Sequence, residues 1–459
     1  MRILHAVHGF FPEFFGGTER YVEGLALAQN AAGHPVRLLT GSGTAGEAPW
    51  IDLVRHKGIP MYRLHRIGID IDSWTKSDAP HAEPPLAALL GRVRPDVLHV
   101  HHWLRFSRSL VRLAAAEGVP VVLTLHDLAS TCPRGFRIHT RGHFCDTPMS
   151  PGLCLGCAPV VPCQDPVEVK LELMRFRAHM REEVRAATRL LVPSRAHRDL
   201  VARLLGLDTD RFTVVPLGDL TSVTAMTRPR PEKRPGSGRL QLVHWGHFRH
   251  DKGIHVVLDA LALLAPADQE RVHLTLHGEH VFKEYEKLLE EKAAGLPVTF
   301  AGPFKPEDLD GSRYDLAIFP TLCHESHSFV LDEAFKLRLP MLVSNRGALV
   351  ERAGGAALSF QPGDAADLAG KIHAVLDTPG QLNTLEAAIP RTLPTMASHA
   401  AKILEVYQEA VAAGVPAGVK APAVTPERLL RCRAVEGRDI HIAELNWALH
   451  EKPGQGEQE

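Results

Sequence analysis

Two carboxylates eight positions apart, Glu325 and Glu333 in "CHESHSFVLDEAF" (323–335), are the first residues whose spacing suggests chemistry. The run "YDLAIFPTL" before them reads as a buried strand, and "SFVLDEAF" as the start of a helix. The free N–H groups at such a helix start favour an anion, and Ser326 or Ser328 is placed to cap it. A diphosphate there would lie between the two glutamates. A sugar on one side can give hydroxyls to Glu325, and a ribose on the other can give hydroxyls to Glu333. Each hydrogen bond to a charged acceptor contributes about 1.5–3 kcal/mol. The plainer alternative has Glu333 facing solvent, the usual fate of a lone glutamate.

Other stretches suit the same ligand. "WGHFRHDKG" (245–253) joins a strand to a helix and offers Arg249 and Lys252, with His247 and His250 interleaved. Two fixed cations in a strand-end loop suit a diphosphate. "FFGGTE" (14–19) carries Gly16 and Gly17, which let backbone amides approach a phosphate or sugar. Taken alone, a Gly-Gly pair is more simply a tight turn. "TLHD" (124–127) places His126 and Asp127 at the end of a strand. "HVHHW" (99–103) supplies three histidines, but alternation along a strand disfavours a metal shared by all three. "GSGTAG" (41–46) fits a dinucleotide fingerprint in letters only, because it follows the second strand and no helix start follows it.

Cysteines form a separate constellation. Cys132, Cys145, Cys154, Cys157 and Cys163 fall within one stretch, and Cys154 and Cys157 make a C-x2-C half-site for tetrahedral zinc. Cys132 and Cys145 complete it, with Cys163 or His143 as substitutes. The insert (131–165) is rich in glycine and proline and has no core of its own, so a structural zinc would order it. The alternative is a set of free thiols in a loop.

The elements that must position these groups alternate along the chain. In residues 1–220, apolar strands such as "RILHAVH", "PDVLHVHH" and "PVVLTLHD" alternate with helical stretches. Such alternation indicates a parallel sheet covered on both faces, with ligands at the carboxyl ends of its strands. Residues 221–238 are rich in Pro, Arg, Gly and Ser and read as a linker. A second α/β domain is expected over 239–414, closed by a helix at 396–413, and a tail over 415–459. The fold class expected is α/β: two doubly wound, Rossmann-like domains facing a cleft, with a C-terminal helical extension. A net charge of −1 excludes a global field that recruits nucleic acid. No apolar run is long enough to span a membrane, and the N-terminus reads as a first strand rather than a signal peptide. The expected location is cytoplasmic, with a peripheral seat at the inner membrane face left open for the basic, apolar stretch "VKLELMRFRAHMREEVRAATRLL".

The order and spacing of these motifs resemble the family-4 retaining glycosyltransferases of GT-B fold over residues 1 to about 410. The likeness rests on "FFGGTERYVEGLALAQNAAGHPVRLLTG", "LLVPSRAHRDLV…FTVVPLGD", "WGHFRHDKG" and "HESHSFVLDEAFKLRLPMLVSN". The resemblance implies transfer of a sugar, with retention, from a nucleotide-diphosphate sugar to a saccharide, lipid-linked saccharide or other hydroxyl acceptor. It implies no catalytic metal. It matches Lys252 to the lysine on the diphosphate, and Arg249 to the charge the family often has where His247 stands. Glu325 matches the glutamate near the transferred sugar, Glu333 the one on the ribose, and His126 a histidine that meets that sugar. Gly16 and Gly17 match the loop over the phosphates, and Ser328 and Phe329 lie where the donor binds. The family usually has Phe-Gly where this chain has His327-Ser328. Competing expectations are another GT-B enzyme (a nucleotide-sugar epimerase, or a glycogen synthase or phosphorylase type) and a non-catalytic sugar-nucleotide binder.

Overall fold

The computed structural model describes residues 1–425 except 45, 47, 67–77, 159–164, 222, 224–237, 280 and 379. Most of the expected linker, the tail beyond 425 and Cys163 therefore lie outside the described residues. The chain divides into two compact units. Among the described residues, the first comprises Met1–Thr140, Cys145–Leu220 and 394–425; the second comprises Arg141–Phe144 and Thr221–Leu393.

The first unit is built on eight strands: β1 (Ile3–Val7), β2 (Val36–Gly41), β3 (Trp50–His56), β4 (Ile59–His65), β5 (Val97–Val100), β6 (Val121–Thr124), β7 (Arg189–Val192) and β8 (Phe212–Val214). Their spatial order is β3-β4-β2-β1-β5-β6-β7-β8. Every residue of β1, β5 and β6 is buried, as the continuous apolar runs require of strands covered on both faces. All pairings are parallel except that of β3 with β4. That hairpin was not anticipated. His56 pairs with Ile59, so Lys57-Gly58 is a two-residue turn, and both residues have positive φ (47° and 84°). This is the mirror-type turn that suits the twist of a hairpin.

The second unit has six parallel strands: β9 (Leu240–Trp245), β10 (Val272–His277), β11 (Val298–Gly302), β12 (Leu316–Phe319), β13 (Met341–Ser344) and β14 (Ala357–Phe360). Their order is β11-β10-β9-β12-β13-β14. Five were legible as apolar runs; β14 was not. In each unit the strand order reverses beside one strand, between β1 and β5 and between β9 and β12. Such reversal points open a crevice at the carboxyl ends.

One boundary needs correction. The helix Met396–Ala413, expected to close the second domain, packs in the first unit. Its buried face carries His399, Ile403, Val406 and Tyr407. Tyr407 Oη lies 2.6 Å from His99 Nδ1 of β5, and His399 Nε2 lies 2.9 Å from Tyr21 Oη of the helix Gly17–Ala31. Helical periodicity showed an apolar face but not which sheet that face covers.

The stretch read as either core-facing or membrane-facing is the helix Pro166–Ala186, with Asp165 as its N-cap in a complete capping box. Val169, Leu173, Phe176, Met180 and Val184 are buried, so one face of this helix covers the core. Among the described residues no helix is long and apolar enough to cross a membrane.

The Tyr407 contact generates a prediction. Tyr407→Phe keeps the packing and leaves the buried His99 nitrogen without its hydroxyl partner, at a cost of about 1–3 kcal/mol. The melting temperature should fall by roughly 3–10 °C. An unchanged thermal transition followed by circular dichroism would contradict this placement of the helix.

Candidate functional site

In the second unit the loop after β9 carries His247, Arg249 and Lys252, and the loop after the adjacent β12 carries Glu325. Backbone bonds lock the two loops together. The carbonyl of Asp251 accepts from the Leu322 amide (2.8 Å) and from Thr321 Oγ1 (3.1 Å). Gly253, at φ 71°, packs so closely that a Cβ would meet the Pro320 carbonyl oxygen at 2.1 Å. Gly347, at φ 59°, lies likewise against Glu325, where a Cβ would meet the carbonyl oxygen at 2.5 Å. Neither contact leaves room for a side chain.

Within this frame Lys252 Nζ donates to Glu325 Oε1 at 2.6 Å. Burial pulls the Lys252 ammonium down, but Glu325, with Cys323 and Asp251, more than offsets it and holds the group above its ordinary range. The lysine is therefore charged at neutral pH. Thr321 Oγ1 and Cys323 Sγ also face Glu325 Oε1, at 3.5 and 3.8 Å. Arg249 departs from expectation. Its guanidinium is bidentate to the Asp251 carboxylate, at 2.8 and 2.6 Å, so much of its charge is answered within its own loop. His247 is exposed.

The helix after Glu325 runs Phe329–Lys336, with Ser328 at its N-cap. Ser328 makes no side-chain cap, contrary to the expectation for it. Ser328 instead adopts φ 71°, a left-handed conformation that favours glycine. Sequence reasoning missed what holds it there. Arg352 Nη1 donates to the carbonyls of His327 (2.9 Å) and Ser328 (3.0 Å), while Nη2 is paired with Asp332. Buried His327 places Nε2 3.1 Å from Asp332 Oδ2. Burial would raise the Asp332 carboxyl, but His327 and Arg352 together hold it below the usual range. Phe329 is half-buried, its ring centroid 4.9 Å from that of His327.

Glu333 does not simply face solvent. It is half-buried, and Trp245 Nε1 at the end of β9 donates to its Oε2 at 2.6 Å. The two carboxylates thus stand at fixed places on either side of the helix start.

In the first unit Gly16 is the extended residue before the helix Gly17–Ala31, again with no side-chain cap. Glu19, in the first turn, is buried with its pKa raised by burial, and lies 3.2 Å from His8 Nε2. His126 follows β6. Its Nε2 lies 3.0 Å from His101 Nδ1, His101 Nε2 lies 3.0 Å from His5 Nδ1, and His5 Nε2 lies 2.8 Å from Gln29 Oε1. Burial lowers His5 to about 4 and His101 well below its ordinary value, so both are neutral at pH 7. With the Gln29 amide oriented so that Oε1 faces His5, each ring donates one proton along the row. His126 Nδ1 then becomes the acceptor nitrogen. Asp127 lies 3.4 Å from His102 Nε2; burial works against its charge, but His102 outweighs this and the carboxyl is held well below its usual range.

Among the described residues, two groups of side chains have ligand atoms within 4.8 Å of one another: His5, His99 and His101, and Asp268, His373 and Asp377. The histidine nitrogens are engaged with Gln29, Thr124, Tyr407 and each other. Asp268 and Asp377 both accept from Arg271 Nη1, which already supplies a cation. Neither group resembles an open metal site.

Comparisons with known proteins match both parts of the chain. Residues 16–218 match the glycosyl transferase 4-like domain, and residues 239–378 match the glycosyl transferases group 1 domain. Glycogen synthase of Mycobacterium tuberculosis (strain ATCC 25618 / H37Rv) is 28% identical over 405 residues, spanning 83% of this chain and 87% of the relative. D-inositol 3-phosphate glycosyltransferase of Arthrobacter sp. (strain FB24) is 25% identical over 382 residues, 79% of this chain and 82% of the relative. Among solved structures, sucrose-phosphate synthase from Thermosynechococcus elongatus superposes with a TM-score of 0.62 at 19% identity, covering 90% of this chain and 99% of that one. Anabaena HepE in complex with UDP and glucose gives 0.57 at 17% identity, covering 89% and 100%. The chain is a glycosyltransferase of GT-B fold, a glycosyl transferase 4-like domain followed by a glycosyl transferases group 1 domain.

Proposed function

We propose that the protein transfers a hexosyl group from a nucleoside-diphosphate sugar to a hydroxyl of a saccharide, free or lipid-linked, with retention of configuration and without a catalytic metal. The observation that carries this reading is the Lys252–Glu325 pair at the reversal point between β9 and β12, beside a helix start that the side chain of its N-cap Ser328 does not cap. Lys252 and the amides at Phe329 and beyond meet the diphosphate and stabilise it as it leaves. Arg249 adds positive potential while braced by Asp251. Glu325 accepts hydroxyls of the transferred sugar, and Glu333, held by Trp245, accepts those of the ribose. In the first unit, Gly16 and Gly17 offer backbone amides, and His126 Nδ1 accepts a hydroxyl proton. The carbonyl clamp from Arg352 onto Ser328 keeps the helix start aimed. A lipid-linked acceptor would be met at the inner membrane face. There the exposed Val167, Leu171 and Met174 of the helix Pro166–Ala186, with exposed Lys170 and Arg177, give an apolar and basic surface.

Four measurements test this. A thermal-shift series with UDP, GDP and ADP should show at least one diphosphate raising the melting temperature. Lys252→Ala and Glu325→Ala should fold and lose roughly 10²–10³-fold in turnover, in line with removal of one preorganised charge. Wild-type rates in both would reject the assignment. At Ser328, replacement by Gly should retain activity and stability, because φ 71° suits glycine. Replacement by Val should cost both, since a β-branched residue is strained there. Equal behaviour of the two variants in activity and melting would argue against the clamped turn. Co-sedimentation with anionic vesicles should fall when Leu171 and Met174 are both changed to Glu; unchanged binding would remove the membrane contact.

A further inference from the structure

The cysteine insert is not used by the transfer reaction, yet it is tightly organised. Cys154 ends the short helix Pro151–Cys154, and the amide of Cys157 donates to the Cys154 carbonyl at 3.0 Å, so these two thiols occupy one turn. Cys132 and Cys145 are brought to them by two buried arginines. Arg137 Nε donates to the Cys145 carbonyl (2.7 Å), Nη1 to the carbonyl of Thr131 beside Cys132 (2.8 Å), and Nη2 faces Cys145 Sγ at 3.7 Å. Arg134 Nη1 donates to the Cys157 carbonyl at 3.0 Å, and its Nε to Ile138 at 2.7 Å. The four thiols are electrostatic neighbours: Cys132 feels Cys154 and Cys157, and Cys154 feels Cys145 and Cys157. All four are free and half-buried.

The second observation is a charge without a counter-charge. Arg137 is only 2% exposed. Among the described residues its guanidinium meets carbonyls, the Thr131 hydroxyl and the Cys145 sulfur, and no carboxylate lies within ion-pair reach. A buried guanidinium normally requires an anion. Here the groups beside it that can become anionic are thiols. Thiols ionise outright when they bind a soft divalent cation.

We infer that Cys132, Cys145, Cys154 and Cys157 form a structural zinc site whose excess negative charge is balanced by Arg137 and Arg134. The four thiols release their protons to solvent on binding, and four thiolates around one divalent ion carry two negative charges in excess, which the two guanidiniums neutralise. C-x2-C on one turn is the half-site that tetrahedral zinc takes. The sulfurs are not among the groups already at mutual ligand distance, so closing on the ion requires side-chain rotation of the cysteines. The site is structural, with all four positions filled by protein, and the inference stands apart from the transferase reading.

The test uses the full chain purified under reducing conditions without a histidine tag. Elemental analysis should find about one zinc per chain. Treatment with a chelator should lower the melting temperature, and Zn²⁺ but not Mg²⁺ should restore it. The double variant C154S/C157S should lose the metal, whereas C323S, in the other unit, should retain it. Should the double variant fail to fold, wild-type metal content and its reversible removal still decide. Zinc below roughly 0.2 per chain, or iron in its place with visible charge-transfer absorption, overturns the inference.

Discussion

A lysine held 2.6 Å from a carboxylate at the ends of two adjacent strands is the constraint around which the second unit is organised. The pair is not there for stability. Lys252 is about a third exposed, and pairs of this kind contribute about 0–1 kcal/mol. What it specifies is position. The Asp251 carbonyl, bonded to both the Leu322 amide and the Thr321 hydroxyl, ties one loop to the other. Gly253 and Gly347 let the backbones touch where no side chain fits. The lysine and the glutamate are thus placed by main chain rather than by long, mobile side chains. That is how a site becomes preorganised for charge that develops only during reaction.

The first unit reaches order at its own reversal point by a different means. His5 on β1, His99 on β5 and His101 just beyond it lie in the core, where burial keeps imidazoles neutral. Neutral rings in a row alternate donor and acceptor, so Gln29 at one end dictates which nitrogen of His126 accepts at the other. The helix Met396–Ala413 completes the arrangement by giving His99 its Tyr407 partner. A late segment of the chain therefore supports residues of the earliest strands.

Much of this was legible in the sequence. Continuous apolar runs marked the buried parallel strands, since a strand covered on both faces has no polar side. The spacing of Glu325 and Glu333 around a helix start, and Lys252 in a strand-end loop, marked the candidate site. What escaped had physical reasons. The β3–β4 hairpin turns on Lys-Gly, which lacks the Asn-Gly or Asp-Gly signature of such turns. Arg249 reads as a fixed cation for a diphosphate, and the sequence does not show that Asp251 two residues on folds back onto it. An amphipathic helix at the end of the chain reveals its apolar face without naming the sheet it covers.

The His327-Ser328 pair shows how a departure from the family's Phe-Gly can be accommodated. A left-handed residue other than glycine costs about 1–2 kcal/mol. Against this stand two bonds from Arg352 to the carbonyls of His327 and Ser328, each from a charged donor and each contributing about 1.5–3 kcal/mol. Arg352 is itself held by Asp332, and Asp332 by His327, so the side chain that replaced phenylalanine belongs to the network that stabilises the turn. Losing Arg352 would leave the buried Asp332 carboxylate without its cation, a larger penalty than the strain itself. The turn can thus be kept with serine in place of glycine, because the polar residues packed beneath it supply the stabilisation that glycine's backbone freedom would otherwise provide.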